Sequence, residues 1–179
     1  MATEIIISGF GGQGIMLIGQ LIAYAGMLDK KYVSWIPSYG PEMRGGTANC
    51  SVIVSDKIIG APIVSEPQIL IAMNNPSLDK FEALVRPGGI VILNSSLIER
   101  SSIRSDITTI GIRANDMANK LGNSKVANMI VLGAFLGVTK VVSSTSVLKT
   151  IHKVFNAKPE LIHVNQIALE YGQSAICTV

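Results

Sequence analysis

The chain has 179 residues, a formal net charge of +3 and only 15% charged residues, a size that fits one domain with no second large one. Hydrophobic residues reach 48% and the mean hydropathy is +0.43, which excludes a disordered chain. The lysines and arginines are scattered without a basic run, which argues against a nucleic-acid-binding surface. We therefore expect a single domain over residues 1–179.

The amino-terminal part predicts alternating strands and helices. An apolar run over 4–8 stops at glycine and predicts a strand, and the run over 13–28 is long enough for about four helical turns. A second strand is predicted over 32–36. Two prolines and three glycines in 37–46 predict irregular structure, and a third strand follows over 47–54.

The middle of the chain continues the alternation. After a short return strand at 58–59, buried-strand runs cover 69–73 and 90–93. Between them Pro76 favours the first position of a helix that runs to about Val85, with Asn75 as its capping residue.

The last third is predicted to be mostly helical after one further strand at 107–110. Ser144–Ser146 supply capping candidates for the third of its helices, which together lie at 114–121, 128–138, 147–155 and 160–171. Apolar strands that alternate with helices favour a mainly parallel sheet with helices on both faces. The predicted class is α/β, Rossmann-like and doubly wound, with a helical C-terminal third.

A glycine-rich motif joins the first strand to the first helix: GFGGQG, residues Gly9, Gly11, Gly12, Gln13 and Gly14. Glycines at this spacing let the backbone approach a phosphate, and the helix start offers unpaired N–H groups. A dinucleotide site also needs an acidic residue at the end of the second strand, and 33–36 has none. The alternative is that these glycines serve strand-to-helix packing alone.

A second polar segment, SYGPEMRGG, supplies the candidate residues Ser38, Tyr39, Glu42, Arg44 and Gly45. Arg44 is the natural partner for an anion because its charge is fixed and its donors are bidentate. Glu42 can pair with Arg44, orient it or contact a partner, and a capped turn with an Arg–Glu pair is the alternative.

Two asparagines, Asn74 and Asn94, follow the carboxyl ends of two later strands. Ligands of open α/β sheets bind at these ends, so we expect the four polar loops to form one rim. The sequence shows no set of side chains that could act together in catalysis. His152 and His163 are isolated, and neither cysteine has a histidine or lysine neighbour in the sequence. The residues alone predict a binding module with no chemistry and no metal of its own.

The motifs GFGGQG, SYGPEMRGGTANCSV, ILIAMNNPS and PGGIVILNSS resemble the gamma subunit of 2-oxoacid:ferredoxin (acceptor) oxidoreductases. The resemblance implies a complex that decarboxylates a 2-oxoacid such as pyruvate on thiamine diphosphate and passes electrons through iron–sulfur clusters to ferredoxin. The acyl group is transferred to coenzyme A. Thiamine diphosphate and the clusters reside on other subunits, which here would be alpha, beta and a ferredoxin-like delta.

By this resemblance the chain is a subunit without catalytic residues that contributes assembly and coenzyme A contacts at the rim. A stand-alone dinucleotide-binding oxidoreductase and a pure assembly scaffold remain the alternatives. The 2-oxoacid stays open among 2-oxoglutarate, branched-chain acids and pyruvate, with 2-oxoglutarate favoured by general likeness. Two cysteines and a start without a basic signal region favour a cytoplasmic protein with no membrane contact.

Overall fold

A computed structural model describes residues 2–39, 47–100 and 102–176, excluding the side chain of Tyr39. Within these ranges the strands are β1 Ala2–Phe10, β2 Tyr32–Tyr39, β3 Thr47–Ser55, β4 Ile69–Ala72, β5 Ile90–Asn94 and β6 Thr108–Ile112. The helices are α1 Ile15–Leu28, α2 Asn75–Phe81, α3 Ala114–Lys120, α4 Ala127–Val138, α5 Ser144–Val154 and α6 Pro159–Ile176, with 3₁₀ turns at Glu82–Leu84 and Ser124–Val126.

All six described strands form one sheet in the order β2-β3-β1-β4-β5-β6. The pairs β1–β4, β4–β5 and β5–β6 are parallel, whereas β3 is antiparallel to both β1 and β2. β3 is therefore the one reversed strand of the described sheet. The mainly parallel α/β sheet and the helical C-terminal third are confirmed, with the added finding that β3 separates β1 from β2.

Successive side chains of a strand point to opposite sides, so a strand of apolar residues has two apolar faces. Helices cover both of these faces of the sheet. Ile5 and Ile7 of β1 belong to the larger core, which includes Phe135 of the mostly apolar helix α4. Ile6 points to the other side and joins a smaller core with Leu78 of α2. We call these the first and the second face.

Three local expectations were wrong. Pro37–Tyr39 continue β2 instead of leaving it, because β2 is an edge strand, where a residue without an N–H can be accommodated. No strand forms at 58–59 in the described chain. The helix caps lie one residue earlier than expected: Asn74 Oδ1 accepts from Ser77 N at 3.0 Å, and the side chain of Ser143 caps α5.

The carboxylate of Asp29 ties the end of α1 to the start of α5. It accepts hydrogen bonds from Ser143 N at 2.7 Å, from Ser143 Oγ at 2.9 Å and from Ser146 Oγ. Burial raises the pKa of Asp29, but these hydrogen bonds and the charge of Lys31 outweigh it, so the pKa lies below its ordinary value of 3.8. The charged form therefore stabilises the fold.

We expect Asp29→Asn to lower the free energy of unfolding by about 1 kcal/mol at about pH 7, because the amide has no charge and keeps only one of the two accepting oxygens. A folded-state pKa below the unfolded one gives stability that is present above the unfolded value and is lost as pH falls through the folded value. The difference between variant and parent should thus be smaller at about pH 2.5 than at about pH 7, as measured by urea unfolding at both pH values. Glu99→Gln, at an exposed position, is the control, and an Asp29 effect of the same size at both pH values would contradict the role of charge.

Candidate functional site

The strand register brings the glycine loop and the residues that border the second motif to one edge of the sheet. Phe10, at the end of β1, pairs with Thr47, and Tyr39, at the end of β2, pairs with Ala48. The glycine loop and the two borders of the 40–46 segment are thus adjacent at this edge. Because β4 and β5 run parallel to β1, their carboxyl ends lie there as well. This edge is the predicted rim.

The glycine loop presents bare backbone to solvent at the rim. Gly11 and Gly12 are exposed, and Gly12 has a φ of 94° with no atom within 4 Å of the place where a Cβ would lie. Gly14 precedes α1 with a φ of 75°, and no side chain caps the helix there. The first N–H groups of α1 are therefore not capped by a side chain, an arrangement that favours an anion or a backbone carbonyl.

Gln13 fixes the shape of this loop rather than facing outward. Its Oε1 accepts from Phe10 N at 2.7 Å and from Asn74 Nδ2 at 3.1 Å, and its Nε2 donates to Met73 O at 3.4 Å. One side chain thus closes the glycine turn and joins the end of β1 to the end of β4. The prediction for Gln13 was a ligand- or partner-facing residue of the rim, whereas the hydrogen bonds of its amide hold the loop in place.

Asn74 and Asn94 are buried, and their side chains bond within the fold. Asn74 caps α2 with its Oδ1 and donates to Gln13 with its Nδ2. Asn94, at the end of β5, donates to Asn115 Oδ1 at 2.7 Å and accepts from Ser96 N at 3.3 Å. Both lie at the predicted edge, but they build the rim rather than present a polar group to a ligand.

Two of the loop glycines are needed for close packing. A Cβ on Gly9 would lie 2.5 Å from Ile15 Cδ1 and 2.6 Å from Gln13 Oε1. A Cβ on Gly14 would overlap the side-chain amide of Asn128, which is buried at the start of α4. Asn128 was missed in the sequence, although an amide at the start of the apolar run ANMIVLGAF is the signal that marks it.

The remaining predicted residues belong to the second segment. Ser38 is exposed near the end of β2, opposite Asn49 in the register. The side chain of Tyr39 and residues Glu42, Arg44 and Gly45 lie outside the described residues. The predicted contributions of these four stay predictions.

The described chain offers little for catalysis. Burial raises the pKa of the Cys50 thiol to about 12, against smaller opposing effects of Trp35 and Gly19, so this thiol is inert. Both histidines are exposed. Among the described residues no three His, Cys, Asp or Glu side chains are placed to hold a metal ion, and no described helix is long and apolar enough to cross a membrane.

The topology also weighs against a dinucleotide site. In that fold the second strand lies next to the first and ends in the acidic residue that holds the ribose. Here β3 lies between β1 and β2, and no acidic residue occurs in β2. The glycine motif therefore occurs without the neighbouring group that would complete such a site.

Comparison with known proteins places these features in a family. The family model for pyruvate ferredoxin/flavodoxin oxidoreductase matches residues 4–175. The ketoisovalerate oxidoreductase subunit VorA of Methanothermobacter marburgensis is 38% identical over 172 residues, which are 95% of this chain and 36% of VorA. The 2-oxoglutarate synthase subunit KorC of Methanocaldococcus jannaschii is 36% identical over 84% of this chain and 82% of KorC.

Solved structures agree with this assignment. The gamma subunit of a keto/oxoacid ferredoxin oxidoreductase from Geobacter sulfurreducens has a TM-score of 0.83 at 30% identity and matches 99% of both chains. The 2-oxoglutarate:ferredoxin oxidoreductase of Magnetococcus marinus shares the fold with a TM-score of 0.92 at 20% identity, over 31% of its chain. This chain spans about a third of the length of the longer relatives, such as VorA. The resemblance found in its motifs is confirmed: the chain belongs to the pyruvate ferredoxin/flavodoxin oxidoreductase family.

Proposed function

We propose that this chain is the gamma-type subunit of a 2-oxoacid oxidoreductase complex that oxidatively decarboxylates a 2-oxoacid to its acyl-coenzyme A. The observation that carries the proposal is the match to 82% of KorC and to 99% of the Geobacter gamma subunit.

The substrate class is a 2-oxoacid. VorA and KorC, named for ketoisovalerate and 2-oxoglutarate, are similarly identical to this chain, and PorC of Methanocaldococcus jannaschii, a pyruvate synthase subunit, is 29% identical. The exposed backbone of Gly11 and Gly12 does not by itself select among these acids.

Purification of the tagged chain from its native cell tests the assignment. We expect it to bring along companion subunits that contain thiamine diphosphate, and the complex to reduce ferredoxin when supplied with one of the three 2-oxoacids and coenzyme A. Isolation of the chain without such a companion, or turnover of a 2-oxoacid by the chain alone, would contradict the proposal. Binding of NADH by the isolated chain would favour the dinucleotide alternative.

We further propose that the rim contacts the phosphates of coenzyme A through the backbone of Gly11, Gly12 and Gly14, with Arg44 as the cationic side chain. The exposed glycine backbone and the α1 start, which no side chain caps, support this role, since both favour an anion. The Magnetococcus marinus enzyme, which shares the fold, was solved with 2-oxoglutarate, coenzyme A and succinyl-CoA bound.

Within the complex, Arg44→Ala should raise the KM for coenzyme A about tenfold and leave kcat nearly unchanged, because it removes binding that is equal in ground and transition states. Steady-state kinetics with varied coenzyme A measure this. Lys149→Ala, an exposed cation on α5, is the control and should leave KM unchanged. An unchanged KM in Arg44→Ala would remove Arg44 from the coenzyme site.

A further inference from the structure

A buried amide of α4 reaches the glycine turn of the rim. Asn128, in the first turn of α4, is 6% exposed, and its neighbours Ala127 and Met129 belong to the larger core of the first face. A buried amide is costly unless its N–H and C=O groups find hydrogen-bond partners. Asparagine at this place therefore needs partners that an apolar residue would not need.

The two ends of this amide face different helices. Oδ1 of Asn128 accepts a hydrogen bond from the backbone N–H of Met129 at 3.0 Å, within α4. Nδ2 lies towards the start of α1, since it is the atom closest to the place where a Cβ of Gly14 would be, ahead of Cγ at 2.8 Å and Cβ at 3.0 Å. The nitrogen can occupy this position because residue 14 has no side chain.

The nitrogen of this amide is left open to a further group. No group of the described chain accepts a hydrogen bond from Nδ2 of Asn128. Among the described residues, Nε1 of Trp35 is the one side-chain nitrogen or oxygen that is both shut off from solvent and without a partner. Nδ2 of Asn128 also lacks a partner, so it is not shut off, and its N–H groups are accessible beside Gly14.

Backbone donors without an acceptor lie next to this amide. The first N–H of α1 that has an acceptor in the described chain is that of Ile18, which donates to Gly14 O at 3.1 Å, whereas those of residues 15–17 have none. The start of a helix also carries partial positive charge. The start of α1 therefore combines backbone donors, a positive helix end and one side-chain amide, and all of these favour the oxygens of an anion.

We propose that Nδ2 of Asn128 donates a hydrogen bond to the diphosphate of coenzyme A, which the glycine turn and the start of α1 hold through their backbone N–H groups. The inference deepens the proposed function and rests on it. Asn128 is assigned to the diphosphate, and not to the 3′-phosphate of the same coenzyme, because neutral donors at a helix start that follows glycines at this spacing are the arrangement by which proteins hold a diphosphate.

The test uses the assembled complex with Asn128→Asp, Asn128→Ala and the control Asn119→Asp. The aspartate keeps an oxygen that accepts from Met129 and places negative charge where Nδ2 was, whereas alanine removes the donor without adding a charge. Isothermal titration without 2-oxoacid gives the Kd for coenzyme A and for dephospho-coenzyme A, which lacks the 3′-phosphate. Asn119 is exposed near the end of α3, so a charge there should change neither Kd.

Loss of a hydrogen bond to a charged group should raise both Kd values by the same factor. We expect about tenfold for Asn128→Ala and about 30-fold or more for Asn128→Asp, which adds repulsion to the loss of the donor. The KM for the 2-oxoacid, measured at saturating coenzyme A, should stay unchanged, whereas a merely structural role of Asn128 would change it as well. Thermal unfolding shows whether each variant keeps its fold.

The possible results separate this inference from the proposed function. Parent-like Kd values in both Asn128 variants, in a complex that turns over a 2-oxoacid, would overturn the inference and leave the proposed function standing. An increase for coenzyme A that disappears with dephospho-coenzyme A would overturn the assignment to the diphosphate. Weaker assembly with unchanged Kd values would assign the amide to a partner subunit and also overturn it. A parent chain that forms no active complex would remove the proposed function, and the inference with it.

Discussion

Replacing Gly133 of α4 or Gly172 of α6 by alanine is expected to lower the free energy of unfolding by about 3 kcal/mol or more. The two helices cross so closely that a Cβ on Gly133 would overlap the carbonyl oxygen of Leu169, and a Cβ on Gly172 that of Ile130. These obstacles are backbone atoms, so a side-chain rotation cannot relieve them. α4 must shift away from α6, and α4 lies in the centre of the larger core.

Thermal and urea unfolding measure this effect. For a domain of this size a loss of about 3 kcal/mol corresponds to a fall in Tm of about 6–12 °C. Gly60→Ala is the matched control, because Gly60 lies in an exposed segment with no atom within 4 Å of its Cβ position and no positive φ. An equal, small effect in all three variants would show that the α4–α6 contact is looser than described.

The second large effect is expected for Gly14→Ala, which should cost about 3 kcal/mol and distort the rim. About 1 kcal/mol arises from the φ of 75°, which an L-residue rarely adopts. The rest arises from overlap of the new Cβ with the side chain of Asn128. The double variant Gly14→Ala/Asn128→Ala should recover most of this second part, since only the Cβ of residue 128, at 3.0 Å, stays close, and a double-mutant cycle of unfolding free energies measures the recovery.

Gly12→Ala separates the two causes. It has a φ of 94° but no neighbour within 4 Å, so it should show only the backbone cost of about 1 kcal/mol. If Gly14→Ala cost no more than Gly12→Ala, or if Asn128→Ala gave no recovery, the contact between the glycine loop and α4 would not be what constrains Gly14.

Much of the fold follows from local sequence patterns. The apolar runs 69–73 and 90–93 contain the observed β4 and most of β5, because strands buried on both faces need uninterrupted apolar residues. The helices of the last third also lie where their periodicity placed them, with α6 continuing beyond Tyr171 to Ile176. The common edge shared by the ends of β1 and β2 followed from the rule for open α/β sheets.

What the sequence did not show depends on contacts between distant residues. Nothing in Thr47–Ser55 indicates that this strand inserts, reversed, between β1 and β2, because both pairings bury the same apolar side chains. The roles of Gln13 and Asn74 were likewise hidden: their amides bond to each other across 61 positions of sequence, and local patterns carry no information at that distance. Local patterns therefore indicate which strand ends meet at the rim, but not that the amides of Gln13 and Asn74 bond within the fold there.

The hydrogen bonds of Gln13 have a consequence for the rate and the entropy of binding at the rim. They hold the glycine turn in one conformation before anything reaches it, so a bound group need not pay the entropy of ordering that loop. If coenzyme A binds at the proposed rim, its association should be a single, rapid step without a slow rearrangement phase, and Gln13→Ala should introduce such a phase.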